Sequence, residues 1–434
     1  MKTKVYGAKA FLPLIIFLIL YIGSGLYFTY HGIEGAFSKF PRHVALFIGI
    51  TLALLMNREI KIDKKIDIFC ENAGSSGVII IGLIYLLAGG FQGAAKAMGG
   101  VESVVNMGLT FIPSSLLVPG IFIISSFIST AIGTSMGTIA AMAPIAIGMA
   151  EAASLNLPLT CSAVIGGAYF GDNLSMISDT TISATKGVGA EMKDKFKMNL
   201  KIALPAAVVA IFLYWILGGN GNIVGEHKFE LLRVFPYIIV LGVALRGYNV
   251  CVVLIIGIAI SGLVGVLEGT INWLQWIQAI GSGMVDMFSI TIVAILISGL
   301  IGLIKFHGGI DWLINLIILK IKGRKGAEYG IALLSGMLSA ALVNNTIAII
   351  LSAPLAKEIG KNYDIEPKRL ASLLDIFACT FLALTPYDGG MLIITSLIDI
   401  SPIEVLSYSF YIFTLIIISS IVIQFELLYS KDKK

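Results

Sequence analysis

Long runs of apolar residues alternate along the chain with short polar interruptions. Runs at 10–30, 77–96, 107–132, 202–218, 249–267, 287–306 and 405–425 are each long enough for a helix that crosses a hydrocarbon core of about 30 Å. Shorter runs at 43–56 and 308–321 predict tilted, interfacial or broken helices. The pattern therefore predicts an all-α polytopic integral membrane protein with roughly ten or more membrane segments.

Polar residues gather at a few places inside or beside these apolar runs, near 133–138, 172–185, 344–346 and 385–388. Glycines and Pro386 accompany them, as is typical of a broken helix. Lipid offers no hydrogen-bond partners, so irregular backbone at membrane depth must line a protein cavity. We therefore expect broken helices or re-entrant segments that meet at mid-membrane.

The interrupted segments occur in two copies. "TSMGTIAAMAPIAIGMA" (134–150) aligns with "NNTIAIILSAPLAKEIG" (344–360), which places Pro144 on Pro354 at an offset of 210 residues. Internal duplication with Gly- or Pro-interrupted segments at matching positions is a signature of secondary transporters. The alternative explanation is chance similarity between two helices rich in Ala, Ile and Leu.

The duplication also predicts how the chain is organised. We expect a single transmembrane transporter domain over 1–434, with a first repeat unit at 77–190 and a second at 287–398. The sequence itself shows only that the two units are related, and not their relative orientation in the membrane.

Composition strengthens the membrane prediction and excludes several functions. Of the 434 residues, 57% are hydrophobic and only 13% are charged, against about 25% charged in soluble domains. The mean hydropathy is +0.94. A P-loop, a nucleophile–base pair and a His-rich metal motif are all missing from the sequence. We therefore predict that the protein is not an enzyme and carries no cofactor.

Charge bears on orientation and partners. The net charge of +4 comes from basic clusters such as "REIKIDKK" (58–65), "KDKFKMNLK" (193–201) and "KIKGRK" (320–325). This excess is typical of cytoplasmic loops in membrane proteins, so nucleic acid is not implied. Together with "MKTK" at the start, the clusters predict a cytoplasmic N-terminus in a multi-pass cell-membrane protein.

The first polar segment, "GDNLSMISDTT", holds two carboxylates. Asp172 and Asp179 are seven residues apart, so an unbroken helix would place them on one face. Intramembrane ionisable residues are costly and are functional-site hypotheses by default. The alternatives are an ion pair with Lys186 or, for Asp179 in "SDTT", a helix N-cap.

The second half offers a different set of polar residues. Asp375 lies in the apolar "ASLLDIFACTFLAL" with no basic neighbour inside that run, and its alternative role is a helix–helix hydrogen bond. Asn344 and Asn345 form a polar break. Asp388 lies in "TPYDGG", where Asp-Gly-Gly is also an ordinary turn signal.

Carbonyls, hydroxyls and carboxylates are hard oxygen ligands that suit a small hard cation. The candidate substrate- or ion-binding residues are Thr134, Ser135, Asp172, Asn173, Ser175, Ser178, Asp179, Thr180, Asn344, Asn345, Asp375, Thr385 and Asp388. Among them, Asp172, Asp179 and Asp375 are the candidate Na⁺ ligands.

These motifs resemble a known family. "GTSMGT" (133–138), followed after a proline-containing helix by "GAYFGDNLSMISDTT" (167–181), is similar to the first-half signature of the NhaC-type sodium/proton antiporters, in the ion transporter superfamily. The resemblance is looser over about 90–400, where "LLDIFACTFLALTPYDGG" resembles the second-half pattern. Met176 replaces a frequent proline of the family, and "PYDGG" replaces its usual tryptophan-asparagine pair.

The resemblance implies inverted repeats and exchange of Na⁺ for H⁺ across the cytoplasmic membrane in an alternating-access cycle. A carboxyl group in a poorly hydrated cavity has a raised pKa, so near neutral pH it can bind either a proton or a cation. The expected partners are membrane lipid, a small inorganic cation and a small organic solute, and a homodimer is left open. The alternative function is Na⁺- or H⁺-coupled exchange of a small amino acid or carboxylate.

Overall fold

The computed structural model of the protein describes residues 6–33, 36, 39–176, 178–219, 228–244, 246, 248–319 and 321–428, and over these residues the regular structure is entirely helical. The α-helices are α1 (Leu12–Leu18), α2 (Ser24–Tyr30), α3 (Arg42–Leu55), α4 (Ile62–Ala73), α5 (Ser76–Ala97), α6 (Gly100–Phe111), α7 (Leu117–Ile132), α8 (Ser135–Ala152), α9 (Leu157–Leu174), α10 (Asp179–Val188), α11 (Met192–Leu217), α12 (Leu231–Ala244), α13 (Val250–Leu267), α14 (Trp273–Asp286), α15 (Phe288–Phe306), α16 (Gly309–Ile318), α17 (Gly323–Leu342), α18 (Asn345–Asn362), α19 (Pro367–Ala383), α20 (Gly389–Leu397), α21 (Pro402–Ser407) and α22 (Phe410–Gln424).

The helices have the length and surface of a polytopic membrane protein. Within the described ranges, seven helical spans are long and apolar enough to cross a membrane, and four shorter helices are also apolar. Large apolar side chains such as Phe127 and Leu267 are 67% and 74% exposed, which suits a lipid environment. The predicted all-α polytopic fold is therefore confirmed.

Two predicted spans are wrong in detail. In the run at 405–425, α21 ends at Ser407 and α22 begins only at Phe410. The run at 107–132 is not continuous, because α6 ends at Phe111 and α7 begins only at Leu117. Ile112 is extended, with φ −103° and ψ 121°, since a proline disfavours helical backbone at the residue before it, here Pro113. The apolar composition of the run hid this interruption.

The two halves repeat one another in helix order. The series α5 to α10 recurs as α15 to α20, and a glycine in the left-handed conformation, Gly99 or Gly308, precedes α6 and α16 alike. The segments 133–138 and 343–348 are both broken, because Gly133 (φ 76°) ends α7 and Val343 (φ 50°) ends α17. The offset of 210 residues thus relates helix boundaries as well as sequence, while the inverted orientation stays a prediction.

A short helix from each half packs against helices of the other half. In the first half, α10 packs against α18 and α19 of the second; in the second half, α20 packs against α8 and α9 of the first. Longer helices cross in the same way, since α14 packs on α5 and α4 packs on α15. The chain interruptions before α10 and α20 therefore lie where the two halves meet.

Close packing holds α9 firmly beside α7. A Cβ atom on Gly167 would overlap the carbonyl oxygen of Phe122, and one on Gly171 would overlap Ser129 and the backbone of Thr130. Small residues let two helix backbones approach in this way, and Ser129 Oγ then donates a hydrogen bond to the Ala168 carbonyl across the interface. The end of α9, with Asp172, is consequently fixed in position.

The two breaks differ in backbone strain, which predicts opposite responses to mutation. The left-handed conformation costs a residue with a Cβ atom about 1–2 kcal/mol, and Val343 is β-branched. We expect Val343→Gly to raise the midpoint of thermal unfolding of the detergent-purified protein and Gly133→Val to lower it. Val208→Gly, on an exposed face of α11, is the matched control and should lower the midpoint slightly. An unchanged or lower midpoint for Val343→Gly would contradict the strain.

Candidate ion-binding site

The interruption between α9 and α10 is held by its own hydroxyl groups. Ser175 ends α9 in extended backbone, with φ −67° and ψ 135°. Ser178 caps α10, because its Oγ accepts a hydrogen bond from the Thr181 amide at 3.2 Å. Thr181 Oγ1 lies 2.7 Å from the Ser175 carbonyl oxygen and donates to it, which closes the turn.

A buried lysine stands at the centre of the site. Lys195 Nζ, on α11, lies 2.7 Å from Asp375 Oδ2, 2.9 Å from the Asn173 carbonyl oxygen and 2.6 Å from Thr181 Oγ1. Asn199, one turn further along α11, donates at 2.9 Å to both the Asn173 carbonyl and Asp375 Oδ2. We call these five residues, all fully or nearly fully buried, the Lys195 cluster.

Asp172 adjoins the Lys195 cluster from the end of α9. Its side chain is 4% exposed, and Ser135 Oγ, at the start of α8, donates to its Oδ2 at 3.1 Å. Asp172 interacts electrostatically with both Asp375 and Lys195. Two carboxyl groups, one from each half of the chain, thus share one buried site, in which the Lys195 ammonium contacts Asp375 together with a carbonyl and a hydroxyl oxygen.

A third buried carboxyl group lies at the start of α20. Asp388 caps this helix through the Gly390 amide, at 3.1 Å from its Oδ2, and Tyr169 of α9 donates its hydroxyl to the same oxygen at 3.0 Å. The Tyr85 hydroxyl lies beside Gly389, where a Cβ atom would overlap it. A cavity of about 40 Å³ opens here, which is room for a water molecule or a single ion.

Other predicted residues lie outside these clusters or serve the helices. Asp179 is exposed in the first turn of α10, and the N-cap role considered for it belongs to Ser178. Asn344 caps α18 by accepting from the Ile347 amide at 2.8 Å. Asn345 Nδ2 lies 3.5 Å from Cys379 Sγ.

Thr134 and Thr385 likewise bind their own helices. Thr134 is the half-buried N-cap residue of α8, and its carbonyl accepts from the Thr138 hydroxyl. Thr385 is buried and donates to the Leu382 carbonyl at 2.7 Å. Thr180 is buried beside Ser178, with 3.0 Å between the two hydroxyl oxygens, and it also faces Asp375.

The three predicted Na⁺ ligands differ in burial. Asp172 and Asp375 are buried, whereas Asp179 is exposed, and Asp172 interacts electrostatically with both of the others. In the part of the chain that the structure describes, no group of three or more His, Cys, Asp or Glu side chains could hold a metal ion. A site here would rely on carboxylate, carbonyl and hydroxyl oxygens together, a mixture that suits a small hard cation.

Sequence reasoning missed Lys195, Asn199, Thr181 and Tyr169. Lys195 is one of several lysines in "KDKFKMNLK" and reads as part of a basic loop. The signal that marks it is periodicity, because the buried stripe of α11 at Ala203 and Ala206 continues backward through Asn199 to Lys195. The other lysines of "KDKFKMNLK" do not lie on that buried stripe.

The chain is similar in sequence to proteins named as antiporters. The chain is 33% identical over 227 residues to the malate-2H⁺/Na⁺-lactate antiporter of Bacillus subtilis, an alignment that covers 51% of this chain and 46% of that protein. It is 22% identical to the arginine/ornithine antiporter ArcD of Halobacterium salinarum, covering 78% of this chain and 76% of that protein.

A third relative is aligned over most of both chains. The Na⁺/H⁺ antiporter NhaC of Alkalihalophilus pseudofirmus is 22% identical over 412 residues, which is 86% of this chain and 88% of that protein. The model of the Na⁺/H⁺ antiporter family matches residues 6–219 and 231–427. That match includes both carboxyl groups of the site, α11 with Lys195, and both chain breaks. The chain therefore belongs to the Na⁺/H⁺ antiporter family.

Proposed function

We propose that this protein is a secondary antiporter that exchanges Na⁺ for H⁺ across the cytoplasmic membrane, with its N-terminus in the cytoplasm. The observation that carries the proposal is the meeting of Asp172 and Asp375, from different halves of the chain, in one buried oxygen-rich site. Exchange needs neither an enzymatic step nor a cofactor, since Na⁺ and H⁺ are the cargo. Membership of the Na⁺/H⁺ antiporter family supports the same reaction.

Coupling follows from competition for the same carboxylates. A carboxyl oxygen that binds a proton no longer offers a negative charge to Na⁺, so each ion must displace the other. The Asn173 carbonyl and the Thr181 hydroxyl are placed to complete the Na⁺ shell. The ion gradients drive the cycle, and each charge moved is worth about 2.3 kcal/mol per 100 mV of membrane potential.

Alternating access would arise from the repeated architecture. We propose that the repeat units 77–190 and 287–398 are inverted and move against one another around the site. The packing of α10 on the second half and of α20 on the first supports this, because any relative motion changes the surroundings of both breaks.

A second candidate is Na⁺- or H⁺-coupled exchange of a small amino acid or carboxylate. Two relatives are named for such solutes, malate with lactate and arginine with ornithine. The buried Asp388 carboxylate, which accepts a hydrogen bond from Tyr169, would suit the ammonium group of an amino acid. The cavity lined by the adjacent Gly389 and by Tyr85 measures only about 40 Å³, and this small size favours Na⁺/H⁺ exchange instead.

The decisive experiment is dissipation of a pH gradient in proteoliposomes. We expect added Na⁺ alone to collapse a preset acid-inside gradient in vesicles that contain the protein, with protein-free vesicles as the control. Malate, lactate, arginine and ornithine are then added singly, with and without Na⁺. A gradient that collapses only when an organic solute is present would replace the first candidate with the second, and no response to any addition would contradict both.

A further inference from the structure

An apolar groove runs along the surface where α7, α9 and α11 meet. Its volume is about 440 Å³, within the range of about 300–1,000 Å³ that is typical of small-molecule sites. Phe127 of α7 and Val208 of α11 line it and are 67% and 58% exposed, so the groove opens outward. Because α11 is long and apolar enough to cross a membrane, the groove faces acyl chains rather than water.

Three exposed lysines continue the line of the groove along α11. The lining residues Leu204, Val208 and Ile211 follow the spacing of three and four that defines one helix face. The same spacing leads backward to three exposed residues, Lys201, Lys197 and Lys193. With a rise of about 1.5 Å per residue, Lys201 lies about 4.5 Å before Leu204 along the axis, and Lys193 about 12 Å before Lys201. A row of positive charge therefore ends where the apolar groove begins.

The charge of this row is not neutralised within the protein. In the described part of the chain, Lys193, Lys197 and Lys201 form no ion pair with a carboxylate. The sequence of α11 contains one acidic residue, Asp194, which is half-buried. Lys195 of the same helix is buried and does not belong to the row. The three exposed lysines are thus available to an anion from outside the protein.

We propose that the groove and the row of lysines together bind one anionic phospholipid, with an acyl chain in the groove and the phosphate against the lysines. We call this surface the α11 lipid site. The inference does not depend on whether the cargo is Na⁺ or an organic solute, because the residues that form this surface are not those of the ion-binding site.

The two parts of the α11 lipid site select the same molecule. A soluble anion such as phosphate matches the lysines but leaves the groove unfilled. A zwitterionic lipid matches the groove but brings no net negative charge to the lysines. A phospholipid with a net negative headgroup matches both parts. Lysine binds phosphate as a point charge, and its long stem lets the ammonium group reach the headgroups from an apolar helix.

The length of α11 places the lysines at a suitable depth. Its 26 residues span about 39 Å, against a hydrocarbon core of about 30 Å. The first turns, which carry the lysines, can therefore reach the headgroup level while residues 204–211 stay in the core. The cluster "KDKFKMNLK" also predicts a cytoplasmic position, and the cytoplasmic leaflet is the one that carries anionic lipid.

The wild-type protein gives the first test. The purified full-length chain in detergent is titrated with phosphatidylglycerol or with phosphatidylethanolamine of identical acyl chains, and native mass spectrometry counts the bound lipid. We expect one phosphatidylglycerol to bind about tenfold or more tightly than phosphatidylethanolamine, and this selectivity to fall as salt screens the exposed charges. Equal affinity for the two lipids would overturn the proposal.

Lysine substitutions test the headgroup contact. Each lysine near an anionic lipid contributes about fivefold in affinity, so Lys193→Gln, Lys197→Gln and Lys201→Gln combined should weaken phosphatidylglycerol binding about a hundredfold. Binding of phosphatidylethanolamine should not change. The matched control replaces three exposed lysines elsewhere with glutamine, namely Lys61, Lys64 and Lys361. Wild-type binding in the first triple variant, or an equal loss in the control, would contradict a specific headgroup site.

Filling the groove tests the acyl-chain contact while the lysines stay intact. Val208→Trp should displace two or more methylene groups of the chain and weaken phosphatidylglycerol binding about tenfold or more. Val209→Trp, at the neighbouring exposed position outside the groove, is the matched control and should bind as the wild type does. Unchanged binding in Val208→Trp would overturn the proposal.

Two further outcomes are decided by the same spectra. A wild-type dimer that Val208→Trp dissociates would show that a second copy of the chain occupies the groove, and would also overturn the proposal. If a variant misfolds, the lipid selectivity of the wild type and its dependence on salt decide the question without it.

Discussion

Asp375→Asn should abolish Na⁺-coupled proton flux in proteoliposomes and also lower the midpoint of thermal unfolding. The carboxylate is fully buried and accepts hydrogen bonds from Lys195 at 2.7 Å and from Asn199 at 2.9 Å. Asparagine keeps the shape but removes the charge, so the buried ammonium loses its counter-ion. Breaking a buried pair from one side costs about 3–5 kcal/mol. Flux per folded protein and unfolding in detergent are the two measurements.

A double variant separates the loss of function from the loss of stability. In Asp375→Asn with Lys195→Met, neither partner is charged, and replacing both partners of a buried pair is often neutral for stability. We expect the double variant to recover most of the unfolding midpoint but none of the flux. Glu328→Gln, which breaks the Arg369 pair, is the control that should lose stability and keep coupling. Coupled flux in the folded double variant would leave Asp375 as a packing residue.

The breaks and their polar residues could be predicted from sequence because their causes are local. Gly133 adopts a positive φ that glycine tolerates, and Ser178 and Asp388 are ordinary helix caps. The internal repeat then predicted breaks at the matching positions of the other half. It even located the break at Val343, where the residue itself gives no sign of a left-handed conformation.

The content of the site was harder to predict, because it depends on which helix faces which. Asp375 reads as a carboxylate without a basic partner, and its partner comes from α11, 180 residues earlier in the chain. Lys195 in turn reads as one lysine among several. Only the periodicity of the buried residues along α11 distinguishes the buried Lys195 from the exposed Lys193 and Lys197.

Asp179 shows how a break in a helix changes the role of a residue. In an unbroken helix it would share a face with Asp172, which is why the sequence pairs them. The interruption after Leu174 removes that relation, and Ser178 takes the capping position. The second carboxylate of the polar segment is therefore exposed, while the hydroxyl-bearing Ser178, Thr180 and Thr181 are buried.

Asp172→Asn should abolish Na⁺-driven proton movement with little loss of stability, in contrast to Asp375→Asn. Among the residues that the structure describes, Asp172 forms no ion pair, and it accepts a hydrogen bond from Ser135 at 3.1 Å. Asparagine is nearly the same size and keeps a carbonyl oxygen to accept that bond. What it loses is the ability to exchange a proton, and only ionisation links the two ions at this residue.

The alternative is that Asp172 merely holds the end of α9 in shape, and then asparagine should serve nearly as well. Ser135→Ala is the matched control, because it removes the same hydrogen bond while the carboxylate stays, and it should keep coupled flux. Asp172→Glu keeps the charge but moves it by about one methylene group, so we expect Na⁺ affinity to weaken before coupling is lost. The measurement is Na⁺-driven pH change in proteoliposomes at several pH values for all three variants. Wild-type coupling in Asp172→Asn would remove this carboxyl group from the competition between Na⁺ and H⁺, and would leave Asp375 to carry it.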